Sequence, residues 1–155
     1  MPALGAKVSV PPVCAARSLA AMREAPPSGT VTFLFTDIEG STRLLHELGP
    51  VAYGEALAEH RRVRREAFTG HGGVEVDTQG DAFFVAFPTA TGAAAAALTG
   101  RDALEQGPIR VRMGLHTGEP TFTDEGYVGI DVHRGARVAA LAHGRRSCSR
   151  RRPAG

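Results

Sequence analysis

Lysine is almost missing from this 155-residue chain: the only one is Lys7, and between residues 29 and 144 every strong side-chain cation is an arginine. Lysine is thereby removed from any site built in that segment. No apolar run approaches the ~20 residues that a bilayer crossing needs. Near the N-terminus Pro11, Pro12 and Arg17 interrupt the apolar stretch and no cleavage site follows, which argues against a secretory leader. Cysteine is scarce too, with Cys14 and Cys148 in opposite tails. They form no disulfide framework and fit a reducing, cytoplasmic setting. No internal repeat is visible, which sets solenoids and propellers aside.

What is present is the composition of one soluble globular domain, with 43% hydrophobic and 22% charged residues. The formal net charge of +2 hides an asymmetry. Residues 29–144 hold ten arginines against fifteen carboxylates, a balance of −5, and five arginines between Arg145 and Arg152 reverse the sign. Residues 145–155 read as a disordered basic tail, solvated rather than bound to nucleic acid. Residues 1–28 lack periodicity and close on Pro26-Pro27-Ser28-Gly29, so they read as a flexible extension, with Met22 a candidate start. Residues 29–144 are left as the catalytic or binding domain.

Within that domain the pattern predicts a split β-α-β-β-α-β unit of the α+β class, ferredoxin-like, with an antiparallel or mixed sheet. Val31 to Phe35 is β-branched and aromatic, hence a strand. Gly40-Ser41-Thr42 opens a helix with Ser41 or Thr42 as N-cap. Gly49-Pro50 breaks it, and a longer helix follows with Tyr53, Leu57, His60, Arg64 and Phe68 near helical spacing. Its cluster Arg61, Arg62, Arg64, Arg65 alternates with Glu59 and Glu66 and reads as a solvated face. Val74 to Asp77 and Ala82 to Phe87 form a hairpin bent at Gln79-Gly80. Thr89 to Gln106 is an alanine-rich buried helix, and Ile109 to Leu115 a strand. An extra hairpin around Asp124-Glu125-Gly126 and a C-terminal helix from Ile130 to Ala142 complete the domain.

Chemistry concentrates in two acidic motifs, Phe35-Thr36-Asp37-Ile38-Glu39-Gly40-Ser41-Thr42 and Thr78-Gln79-Gly80-Asp81. Each sets an aspartate at the tip of a strand-like run, and this topology makes the two strands neighbours. Two such carboxylates can share a pair of divalent ions roughly 3.5–4 Å apart, Mg²⁺ or Mn²⁺, as phosphoryl chemistry needs. Gly40, Ser41 and Thr42 add free backbone N–H groups at a helix start, suited to phosphate oxygens. The histidines at 46, 60, 71, 116 and 143 show no metal-ligand spacing and read as surface or core residues. Neither a nucleophile pair around Ser41 and His46 nor a dinucleotide fingerprint in Gly70-His71-Gly72-Gly73 is supported.

Four stretches, Thr30 to Thr42, Val76 to Phe87, Ile109 to Gly118 and Tyr127 to Gly144, resemble the catalytic domain of class III adenylate/guanylate cyclases, particularly bacterial members opening on TVTFLFTDIEGST. That resemblance implies conversion of a nucleoside triphosphate, ATP rather than GTP, to a 3′,5′-cyclic nucleotide and pyrophosphate. It also implies two metal ions and a head-to-tail homodimer, or pairing with another cyclase domain. Asp37 and Asp81 match the family's metal aspartates, and Ile38 the residue whose carbonyl approaches a metal. Arg137 matches the arginine that a partner copy supplies to the α-phosphate, where a permanently charged fork suits the developing charge. His133 stands where many members carry a ribose-orienting asparagine. Asp77 and Gly126 fall at the base-reading positions, where a lysine and its acidic partner are usual. Past residue 144 the family pattern stops, which reads as a shortened C-terminus with an exposed sheet edge. A catalytically silent, nucleotide-binding or dimerising remnant is the alternative expectation.

Overall fold

The computed structural model describes residues 25–141 and the backbone of 147–151. The expectations for residues 1–24, including Lys7, Cys14 and Met22, lie outside the described residues, as do those for 142–146 and 152–155. The element order is β1 (Val31–Ile38), α1 (Ser41–Gly70), β2 (Val74–Gln79), β3 (Ala82–Phe87), α2 (Ala90–Ala103), β4 (Val111–Gly118), β5 (Thr121–Thr123), β6 (Gly126–Val128), α3 (Ile130–Leu141) and β7 (Ser147–Arg151). The first six of these are the split unit that the sequence pattern predicts.

A five-stranded mixed sheet runs in the order β2-β3-β1-β4-β7, and β5 with β6 makes a separate two-stranded hairpin. β1 is central and antiparallel to both neighbours, with Thr36 opposite Phe83 on β3 and Asp37 opposite Arg112 on β4. β7 runs parallel to β4, Met113 facing Ser147 and Thr117 facing Arg151. Composition reads this segment as part of an unordered tail; in the structure it is the fifth strand. The free backbone edge of β4 supplies hydrogen-bond partners irrespective of side-chain pattern, which is why composition misses it.

Alternation along the strands divides the core between two faces. Leu34, Ile38, Phe83, Val85, Phe87, Val111 and Met113 join Phe68 of α1 and Ala93, Ala96 and Ala97 of α2. Each phenylalanine buried here is worth about 1.5–3 kcal/mol. On the opposite face Val31, Phe33, Ala86, Tyr127 and Val132 pack together, with Phe35 and Phe84 stacked at 4.5 Å beside them. α3 lies over β4 and β1 on this face. A Cβ on Gly114 of β4 would sit 2.3 Å from the Ala139 nitrogen, so only glycine lets this helix approach so closely.

Two local expectations need correction. α1 breaks at Gly49 (φ 80, ψ 165) before Pro50, as the dipeptide predicts, but its N-cap is Gly40 in the left-handed region, without a side-chain cap. Neither Ser41 nor Thr42 caps the helix. Arg64 is not on a solvated face: it is fully buried among Met113, Phe68 and Gly100. The apolar spacing of α1, rather than its charge alternation, sets where that side chain points.

Candidate active site

β1 continues three residues past the predicted strand end, so Asp37 lies inside the sheet, two positions beyond Phe35 and on the same face. Its carboxylate is reached across the sheet by Arg112, whose Nη2 donates to Asp37 Oδ2 at 2.6 Å. The adjoining hairpin reverses in two residues, Gly80 and Asp81, between the paired Gln79 and Ala82. Gly80 takes φ 58 at the first central position, a conformation glycine adopts without strain. Asp81 is therefore the second central turn residue, and the bend lies one position later than Gln79-Gly80.

Because β3 lies beside β1, this turn meets the end of the Asp37 strand and the start of α1. Burial raises the Asp81 pKa, and the negative charge of Asp37 raises it further; a hydrogen bond with Asp37 acts the same way, while one from Ser41 opposes them. Two carboxylates in that relation repel each other when both are ionised, so one of them holds its proton more tightly unless a cation lies between them. Ser41 lies beside Asp81 and favours its charged form. Ser41, Thr42 and Arg43 begin α1, where backbone N–H groups have no partner in a preceding turn.

Among the described residues no cluster of three or more His, Cys, Asp or Glu forms a metal-binding group. The carboxylate pair fits divalent ions only if backbone oxygen and substrate phosphates complete the ligand shell. The raised Asp81 pKa and its cause are what a cation at this position would relieve.

The other predicted residues lie around this centre or away from it. Ile38 is buried against the core and pairs with Val111. Asp77 faces Phe84 after a bulge at Val76, placing it on the Phe35–Asp37 face. Its Oδ1 accepts from the Thr78 N–H at 2.8 Å and its Oδ2 from Gln79 Nε2 at 3.1 Å. Gly126 stands in the β5–β6 hairpin, its carbonyl accepting from Thr123 Oγ1 at 3.1 Å. His133 and Arg137 are exposed on α3, and no hydrogen bond or ion pair joins them to Asp37 or Asp81.

Three residues of this neighbourhood escape sequence reasoning. Arg112 is legible only once the β1–β4 register sets it opposite Asp37. Tyr53 of α1 faces the site: burial first, then the charge of Asp81, raises its phenol pKa, with Asp37 adding and Arg61 opposing. Arg61 donates from Nη2 to the Gly80 carbonyl at 2.5 Å. The i, i+8 relation of Tyr53 and Arg61 along one side of α1 is the signal that could have found them.

A family model for the adenylate and guanylate cyclase catalytic domain matches residues 23–134. The chain belongs to the class III adenylate/guanylate cyclase family. An uncharacterised Mycobacterium tuberculosis protein is 46% identical over 121 residues, 77% of this chain and 42% of that protein. The adenylate cyclase of Lachancea kluyveri is 34% identical over 77% of this chain and 8% of its own length. Among solved structures, an adenylate cyclase of Trypanosoma brucei in its monomeric state superimposes with a TM-score of 0.68 at 26% identity, covering 82% of this chain and 75% of that one. An adenylate/guanylate cyclase/hydrolase of Silicibacter pomeroyi gives 0.62 at 26% identity, covering 74% and 70%. The chain thus spans about two fifths of its mycobacterial relative. Arg137 lies three residues beyond the family match.

Proposed function

We propose that this domain is a nucleotidyl cyclase that converts ATP, in preference to GTP, to the 3′,5′-cyclic nucleotide and pyrophosphate. The observation that carries the proposal is the meeting of Asp37, Asp81 and Ser41 at one end of β1, inside the segment that matches the family. Asp37 and Asp81 would hold two Mg²⁺ or Mn²⁺ ions, with the Ile38 carbonyl beside them. When bound, such ions activate the ribose 3′-hydroxyl and neutralise charge on the departing pyrophosphate.

The chain's own groups do the rest. The N–H groups of Gly40, Ser41 and Thr42 bind phosphate oxygens. Arg112, neutralised by Asp37 at 2.6 Å, is free to grip phosphate once that carboxylate is otherwise occupied. Arg137, from a second copy of the domain, stabilises charge on the α-phosphate, and His133 orients the ribose. Preference for ATP follows the fungal relatives, which are adenylate cyclases. Asp77 and Gly126 offer no purine contact of the usual kind. The reaction goes with a cytoplasmic setting, where nucleoside triphosphates are available.

A second reading, a nucleotide-binding or dimerising module without turnover, is favoured by Asp77, whose carboxylate is engaged by Thr78 and Gln79. One assay separates the two. Purified protein with Mn²⁺ and ATP or GTP should form cyclic nucleotide, detected by chromatography, and Asp37→Ala or Asp81→Ala should reduce it to background. No product from a folded, concentrated sample leaves only the module.

A further inference from the structure

We propose that Arg61 is a positioning residue for Asp81: its guanidinium anchors the turn that carries this carboxylate, and so sets how the Asp37–Asp81 pair is spaced for cations. This rests on reading that pair as a cation site. The Nη2 of Arg61 donates to the Gly80 carbonyl at 2.5 Å, across 19 residues of chain. That carbonyl belongs to the planar peptide unit ending at the Asp81 Cα. Fixing it therefore fixes where the Asp81 side chain starts. Ser41, at the start of α1, lies beside the carboxylate itself.

Among the described residues no acidic side chain pairs with the guanidinium. Arg62 is engaged by Glu59 and Glu66, and Arg65 by Glu75, whereas the Arg61 Nε is buried with no hydrogen-bond partner. A half-buried arginine whose terminal donor goes to a main-chain carbonyl acts as a clamp on the turn. The break at Gly49 allows it, because the second half of α1 takes its own direction over the hairpin. Without the clamp the tip has exposed Gln79 and Gly80 and no other side chain tying the Gly80 carbonyl.

Arg65 provides an internal control: it ties the same helix to the same hairpin, but at Glu75 near the far end of β2. The test is a Mn²⁺ titration of the full chain followed by electron paramagnetic resonance, with thermal midpoints measured alongside. Arg61→Met keeps the aliphatic stem and removes the donor; it should weaken Mn²⁺ binding roughly tenfold or more, as loss of a ligand-orienting partner does. Arg61→Lys restores a donor and should recover most of that loss. Arg65→Ala should stay within about twofold of wild type. A methionine variant that binds like wild type, a lysine variant as weak as methionine, or an equal loss in Arg65→Ala would overturn the assignment. Wild-type protein that binds no Mn²⁺ would instead remove the cation site itself, and Arg61's role with it.

Discussion

Arg64 offers a test of the energetics that hold α1 to the sheet. Its side chain is fully buried, and among the described residues no carboxylate pairs with it. The Nη2 makes one weak contact, 3.1 Å to the Met113 sulfur, while Nε and Nη1 have no partner. Burial pushes its pKa down from 12.5 to about 10. The group still carries its charge at pH 7, and a shift of that size corresponds to a penalty of about 3 kcal/mol. The sign is fixed: a lowered folded value leaves the penalty in full below about pH 10 and relieves it only as pH rises towards 12.5. The Phe68 ring, 5.1 Å from the guanidinium carbon, returns part of it through cation–π attraction, about 1–2 kcal/mol. Arg64→Met keeps the length and removes the charge, so it should stabilise the domain by about 1–2 kcal/mol, raising the thermal midpoint by several degrees. Urea unfolding at pH 7 measures it. Gly100 sharpens the test, because a Cβ there would lie 2.5 Å from Arg64 Nη1. Gly100→Ala should destabilise the wild type, yet gain up to about 1 kcal/mol of helix propensity in the Arg64→Met background. A methionine variant less stable than wild type by 1 kcal/mol or more, with an unchanged denaturant slope, would refute the reasoning.

Other consequences follow from the same interior. His60 is fully buried with neither ring nitrogen hydrogen-bonded, and burial, aided by Arg64, lowers its pKa from 6.5 to about 4. Folding therefore excludes a proton that the unfolded chain takes up below pH 6.5. Stability should fall by about 3 kcal/mol between pH 6.5 and pH 4, and His60→Phe should flatten that part of the urea-midpoint profile. Asp81 works in the opposite direction: its raised folded pKa favours the folded state at low pH and is lost as pH rises through that value. Asp81→Asn should hence raise the melting temperature of cation-free protein at pH 7 while abolishing any rise that Mn²⁺ gives the wild type. Gly114→Ala would press a methyl to 2.5 Å from the Ala139 Cα, and should cost about 1–3 kcal/mol of stability in a calorimetric scan.

The parts of this molecule legible in its sequence are those governed by short-range rules. A β-branched run gives β1, Gly49-Pro50 gives the break in α1, and a two-residue turn closes the hairpin. The Asp37–Asp81 meeting is legible for the same reason, since the split topology forces the strands together once each is recognised. What escapes depends on partners distant in the chain. Arg112 acquires meaning only from the β1–β4 register, and the N-cap of α1 falls on Gly40 in the left-handed region rather than on Ser41, which lies beside Asp81, forty residues later. Arg61 and Arg64 show the limit most sharply. They are three residues apart, read alike as members of one charged cluster, and are both drawn inward, where the first meets a turn carbonyl and the second meets only sulfur and an aromatic ring. Their opposite expected outcomes, lost cation affinity at one and gained stability at the other, come from what lies beneath the helix, and a local window holds none of that information.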